Sequence, residues 1–194
     1  TNSIMLLPAS RLIGVPIMGL QTGTQLAVTK SPIIDPSNLK IVAYEVDGPL
    51  LAEKPSFIRI ADVRELGDVG MIIDSNDEFI GLNDVISIQK IHELEFKLIG
   101  LNVIDETKRK LGRVDGYSVD TDSFIIQQLK VKRGIIKSLA DTELLIHRSQ
   151  IIEINDHTII VRTTAKKLLP ITKSNQLTYL NPFRSSSPQI NKDI

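Results

Sequence analysis

The chain has 194 residues, with 23 Lys+Arg against 23 Asp+Glu, 42% hydrophobic residues, three histidines, no cysteine and no tryptophan. The lack of cysteine excludes disulfides and thiolate chemistry and fits a reducing, cytoplasmic setting, and no apolar run approaches the ~18 residues that cross a bilayer as a helix. Charge is unevenly spread: residues 1–91 carry 7 basic and 11 acidic side chains, residues 92–163 carry 11 of each, and residues 164–194 carry 5 basic and 1 acidic.

In chain order, Ile4 to Leu7 with Pro8 reads as a short opening strand leading through Ser10 into a first β module. The chain begins at Thr1 rather than Met, which leaves room for an upstream segment, an anchor or targeting sequence included. Leu12-Ile13-Gly14 with Val15 and Ile17 predicts a strand, and Pro16, which has no N–H to donate, predicts an edge or a bulge there. Thr22-Gly23-Thr24 is a hairpin tip, Asp35-Pro36-Ser37-Asn38 a turn, and Leu39 to Val46 a long strand ended by Gly48-Pro49. Phe57 to Ile60 and Met71 to Ile73 supply two more strands, with a helical turn or loop at Asp62 to Leu66.

Asp74 to Glu78 is a turn, and Asp84 is placed to cap a short helix running to about Glu93, with Ile88 and Ile91 facing the core. This linker is short and apolar, so it is expected to pack rather than swing. The second module is the clearer one. Leu98, Leu101 and Val103 predict a strand, Asp105 to Lys108 a polar turn, and Leu111-Gly112-Arg113-Val114 the returning strand. The turn Asp120-Thr121-Asp122-Ser123 then introduces Phe124-Ile125-Ile126, Leu129 and Val131. Gly100 and Gly112 mark bulges or tight corners. Ile135, Ile136 and Leu139 suggest a loop with one helical turn, and Leu144 to Ile146, Ser149 to Ile152 and Thr158 to Val161 close the module.

From Thr164 the composition turns to Pro, Ser, Asn, Gln and Lys, too polar to form a core and expected to be a flexible tail. Leu177, Tyr179, Leu180 and Phe183 are its apolar exception and are candidates for a docking segment.

The two halves are copies. Leu12-Ile13-Gly14 matches Leu98-Ile99-Gly100 at a separation of 86, and after a one-residue slip the separation becomes 85, where Asp35 meets Asp120, Leu39 meets Phe124 and Ile41 meets Ile126. The order Leu-Ile-Gly, hairpin, Leu-Gly-Arg-Val, Asp turn and aliphatic strand resembles the PRC-barrel family. That family includes the cytoplasmic domain of the photosynthetic reaction-centre H subunit and the C-terminal domain of the ribosome maturation factor RimM. The resemblance is good in the second copy and looser in the first, where Ala27 stands in place of Gly112. It implies an all-β protein of two tandem small PRC-like barrels, at residues 3–91 and 92–163, joined by a short helix or turn and followed by a flexible basic tail at 164–194.

No catalytic, metal or cofactor site is expected. The three histidines are far apart, and the loop beginning at Asp74 has Phe79 and Val85 where calcium binding needs Gly and Glu. No G-x-S-x-G, phosphate loop or dinucleotide fingerprint occurs. The basic residues Lys108, Arg109, Lys110, Lys130, Lys132 and Arg133, with Arg113, form a candidate surface for an anionic partner.

Lys130 and Lys132 correspond to Glu45 and Asp47 in the first copy, so equivalent faces carry opposite charge. They are expected either to meet, within or between molecules, or to stay separately solvated. The expected function is a non-catalytic adaptor that binds a protein partner, at a membrane face as the H-subunit resemblance implies. The alternative is a ribosome- or RNA-associated factor, as the RimM resemblance implies. DNA is not an expected partner, and oligomeric state is left open.

Overall fold

A computed structural model describes residues 5–134 and 143–162. The loop expected around Ile135 to Leu139, the tail, and the candidate docking residues Leu177, Tyr179, Leu180 and Phe183 lie outside the described residues.

The alternating aliphatic pattern folds as strands. Leu6–Pro8 (β1), Pro16–Gly19 (β2), Thr24–Asp35 (β3), Lys40–Asp47 (β4), Ser56–Arg59 (β5), Glu65–Gly67 (β6), Gly70–Ile73 (β7) and Ile80–Gly81 (β8) precede the helix Ile86–Glu93 (α1). Asn102–Asp105 (β9), Lys110–Asp120 (β10), Ile126–Lys132 (β11), Glu143–His147 (β12), Ile151–Ile154 (β13) and Thr158–Val161 (β14) follow it. Two seven-stranded sheets result: β6-β7-β2-β3-β4-β5-β8, and β12-β11-β10-β9-β14-β13 with β1 on β10. Among the described residues the protein is all-β apart from α1 and short 3-10 turns. Neither strand order returns to its first member among the described residues, so the expected closure into rings is not made by hydrogen bonding.

Duplication is visible bond by bond. Pro16↔Val28, Ile17↔Ala27 and Met18↔Gln25 in the first sheet have the register of Asn102↔Arg113, Val103↔Gly112 and Ile104↔Lys110 in the second, with the same bulge before the third pair. Gly14 N–H donates to Thr29 O and Gly100 N–H to Val114 O, both at 2.8 Å. Gly23 and Lys108 take the same left-handed conformation at the hairpin tips, φ 65° and 66°. β7 runs parallel to β2 as β14 runs parallel to β9, Ile17↔Met71 answering Val103↔Ile159. In these later strands the separation is 88, as for Glu65 with Glu153 and Leu66 with Ile154.

Four expectations are corrected. Leu98 and Leu101 are buried but lie in a turn, and the strand starts only at Asn102. Of the two expectations for Pro16 the edge is wrong, since it opens β2, which lies between β7 and β3. A bulge does follow one residue on, between Ile17 and Met18, and the first position of a strand tolerates a missing donor. The opening strand joins the second sheet rather than the first, Leu6–Pro8 pairing Asp120–Ser118 of β10. Asp84 does not cap α1. Its carboxylate accepts from Gly81 N–H at 2.6 Å, and Val85 stands at the helix start without a side-chain cap. Ile88 is buried and Ile91 half-buried, as the helical spacing indicates.

One apolar cluster runs through both sheets, joining Ile17, Ile41, Tyr44 and Met71 of the first with Val103, Ile126, Leu129 and Ile159 of the second. Full burial of such side chains contributes about 1.5–3 kcal/mol each. The outer face of the first sheet has a smaller cluster, Ile33, Ala43 and Phe57 beneath Ile88 of α1.

Where the sheets meet, the duplicated turns bond each other. Ile41 N–H donates to Phe124 O and Ile126 N–H to Leu39 O, both at 2.9 Å, around the bridge Lys40↔Ile125. Leu39 and Phe124 are equivalent, both buried, and both left-handed at φ 52° and 57°. Such a conformation costs a non-glycine residue roughly 1–2 kcal/mol, which the burial of a large side chain offsets.

Phe124→Ala is therefore expected to cost about 3–5 kcal/mol in urea unfolding, and Phe124→Gly less, because glycine removes the backbone strain. A larger loss for glycine than for alanine would contradict this.

Candidate functional site

The hairpin between β9 and β10 is built on Asp105. Its side chain is 2% exposed. One carboxylate oxygen accepts from Thr107 N–H at 2.9 Å, the Thr107 hydroxyl at 2.6 Å and Arg109 N–H at 2.9 Å, and the other accepts from Arg109 Nε at 3.0 Å. The Thr107 hydroxyl chiefly, with the backbone N–H groups and the Arg109 charge, holds this carboxyl below the usual carboxylate range, against the opposing effect of burial. The turn thereby fixes where Lys108 and Lys110 project, and Arg109 is committed to the turn itself.

Lys110 starts β10, and on the next strand Lys132 lies directly opposite Arg113. Like charges facing each other across a ladder destabilise it. Among the described residues none of Lys108, Lys110, Arg113, Lys132 and Arg133 forms a salt bridge. Arg109, Lys110, Arg113, Lys132 and Arg133 line a cleft of about 1290 Å³ whose apolar wall includes Ile99 and Ile104. Ile99 is 52% exposed. Gly112 forms part of the floor. It has φ 147°, and a Cβ there would lie 2.3 Å from Lys132 O, so the charged strands approach closely only because this residue has no side chain.

The first sheet has a smaller concavity at the equivalent place, about 450 Å³, lined by Gln25, Val28, Asp47 and Gly48 where the second has Lys110, Arg113, Lys132 and Arg133. The same backbone is therefore built without the cations, and the fold does not require them.

The remaining predicted residues separate from this group. Lys130 is neutralised by Glu143 at 3.1 Å and Asp115 at 3.7 Å. Glu45 accepts from Lys30 at 2.8 Å and from the Ser31 hydroxyl at 2.9 Å, and Asp47 lies 3.9 Å from Lys54. No ion pair joins Glu45 or Asp47 to Lys130 or Lys132 among the described residues. The opposite charges have a local cause instead. Lys30 is the equivalent of Asp115 and Glu45 of Lys130, so both copies keep a cross-strand ion pair at the same bulge with its polarity exchanged. The bond from Lys30 is the main reason the Glu45 carboxyl is held low.

Other polar groups serve the fold. His92 packs edge-on to Phe57, centroids 5.5 Å apart, and the His147 ring bonds Ser149 within a 3-10 turn. Burial pushes the Tyr117 hydroxyl up to about 12 and raises Tyr44 further, so neither ionises at neutral pH. Among the described residues no group of three or more His, Asp or Glu is placed to hold a metal ion, and no helix is long and apolar enough to cross a membrane. No family model matches the chain, and no curated protein matches it in sequence.

Two outcomes are expected. Lys132→Gln relieves the repulsion with Arg113 on one side and gives up the opposite charge of Glu143 across the other ladder. Its urea midpoint should therefore stay close to that of the parent; a clear loss would show that Lys132 has a structural role. Asp105, held low when folded, stabilises the chain above the ordinary carboxylate range and loses that contribution as pH falls through its folded value. Between about pH 5 and pH 2 the parent should therefore lose stability more steeply than Asp105→Asn, and equal slopes would contradict the assignment.

Proposed function

We propose that the chain is a non-catalytic assembly module of the tandem PRC-barrel kind, acting in the cytoplasm, whose second copy binds an acidic, partly aliphatic segment of a partner protein. The observation that carries this reading is the group Lys110, Arg113, Lys132 and Arg133 beside Ile99, unpaired among the described residues and without counterpart in the first copy. A cleft with cations on one side and aliphatic carbons on the other complements carboxylates spaced between branched apolar residues. Nearby cations also speed encounter with an acidic chain.

The matching strand order of the two sheets, each with its long hairpin and its parallel closing strand, supports the family reading. RNA fits this surface less well. Single-stranded nucleic acid binds by stacking bases on exposed aromatic rings as well as by charge, and among the described residues every Phe and Tyr is buried or half-buried.

A labelled peptide alternating Glu or Asp with Leu or Ile should bind the full chain. Arg113→Glu/Lys132→Glu should weaken it roughly tenfold or more, a difference of about 1.4 kcal/mol or above, and rising salt should weaken it in the parent. Tighter binding to single-stranded RNA or to anionic vesicles than to the peptide, lost in the same variant, would overturn the reading in favour of those partners.

A further inference from the structure

The duplication gives each surface of the second sheet a counterpart in the first, and at one edge the two differ. On the first sheet the outer edge of β5 is covered by β8, with Ser56↔Gly81 and Phe57↔Ile80 as antiparallel partners. Phe57 is fully buried there. The equivalent strand is β12: Tyr44↔Ile58 in the first sheet has the register of Leu129↔Ile146 in the second, which places Leu144 and Leu145 at the positions of Ser56 and Phe57. Among the described residues no strand pairs the far edge of β12. Leu145 is 58% exposed.

A bare strand edge with an exposed aliphatic side chain is a template for a further strand. Proteins usually blunt such edges with proline, a bulge or charge. β12 pairs β11 in unbroken register over five residues, Glu143 to His147, with no proline or bulge and with Glu143, at its start, as its one acidic side chain.

The outer face tells the same story. Ile33 and Ala43 of the first sheet, covered by α1, become Ser118 and Gln128 in the second, polar residues suited to water. Phe57 alone among these positions stays apolar, as Leu145. An apolar residue kept where its neighbours have turned polar points to contact at that position.

The structure also indicates what fits. β8 is Ile80–Gly81, reached through the extended Phe79, and the acidic pair Asp77-Glu78 precedes it in a 3-10 turn, so the edge-covering segment is acidic and then apolar. At the other edge the start of β12 adjoins the cation group, since Glu143 faces Lys132. A strand added to β12 would lie about 10 Å from β11, two ladder spacings, within reach of long charged side chains from both sides.

We propose that the free edge of β12 binds an extended, acidic and aliphatic segment of a partner protein as an added antiparallel strand, in the position that β8 holds on β5. This rests on the protein-partner reading above and specifies where and how the partner docks. Backbone hydrogen bonds supply affinity, an aliphatic side chain covers Leu145, and carboxylates engage Lys132 and Arg133.

The test uses the full chain and a synthetic peptide of residues 76–84, the chain's own edge-covering segment, with a scrambled peptide as control. The amides of 143–147 that report on the edge are those that point away from β11, since the others are held in the β11 ladder. Exchange of these outward amides should be fast in the free chain and slowed at least severalfold by the peptide and not by the scramble. Leu145→Glu, a change at an exposed position that leaves folding intact, should abolish that slowing. Exchange already slow in the free chain would mean that residues of this chain or of a second copy occupy the edge, and would overturn the proposal. So would equal binding of the scramble. Peptide binding that Arg113→Glu/Lys132→Glu removes, but Leu145→Glu leaves intact with β12 exchange unchanged, would refute strand addition while leaving the acidic-partner reading standing.

Discussion

Two backbone hydrogen bonds, Ile41 N–H to Phe124 O and Ile126 N–H to Leu39 O, fix how the two copies meet. They are images of each other under the duplication, so one turn geometry serves twice, as in a two-fold contact between identical subunits. Each bond contributes only about 0.5–1.5 kcal/mol net. Their importance lies in what they position. The left-handed turns that present the two carbonyls also drive Leu39 and Phe124 into the shared apolar cluster. Each copy alone, at roughly 80 residues, would bury too small a fraction of its surface to be comfortably stable, and the common core removes that difficulty. The exchange of β1 onto β10 ties the chain start to the second sheet in the same sense.

Much of this was legible in the sequence because β structure writes a period of two, and duplication writes it twice. The spacings of 86 and 85 located the hairpin, the Asp turns at Asp35 and Asp120, and the equivalence of Leu39 with Phe124. What the sequence hid was non-local. β7 and β14 are four-residue strands that pair parallel to β2 and β9, and nothing in a short apolar run names its partner. Their separation is 88 rather than 85 because the segment between β4 and β5 is shorter than that between β11 and β12, and such a length change breaks the visible repeat. Asp84 looked like a helix cap, since an acid before an apolar run is the usual signal, but the Gly81 N–H at the end of β8 claimed its carboxylate.

The candidate surface was half legible. Alternation placed Lys130 and Lys132 on one face, and that is where the resemblance between them ends. Lys130 lies beside Asp115 and Glu143, whereas Lys132 faces Arg113. Pairing across strands, invisible from one strand's sequence, decides which cation enters an ion pair and which does not. The exchanged polarity of Lys30–Glu45 and Asp115–Lys130 shows the same rule. An ion pair at a bulge needs opposite signs, and either order satisfies it, so a charge reversal between copies need not mark an interface. Lys110, Arg113, Lys132 and Arg133 form no ion pair among the described residues, and their positions in the other copy hold no cation. No such local explanation covers them, and that difference singles out the second sheet.

The shared core is tested most directly by native-state amide exchange in the Ile126→Ala chain. Ile126 lies in the second sheet, and its truncation is expected to lower the opening free energy of the slowest amides by about 2–5 kcal/mol. If the two copies form one cooperative unit, the slowest amides of β4 in the first sheet fall by the same amount as those of β11. A loss confined to β11, with β4 unchanged, would show two independent folding units and contradict the account.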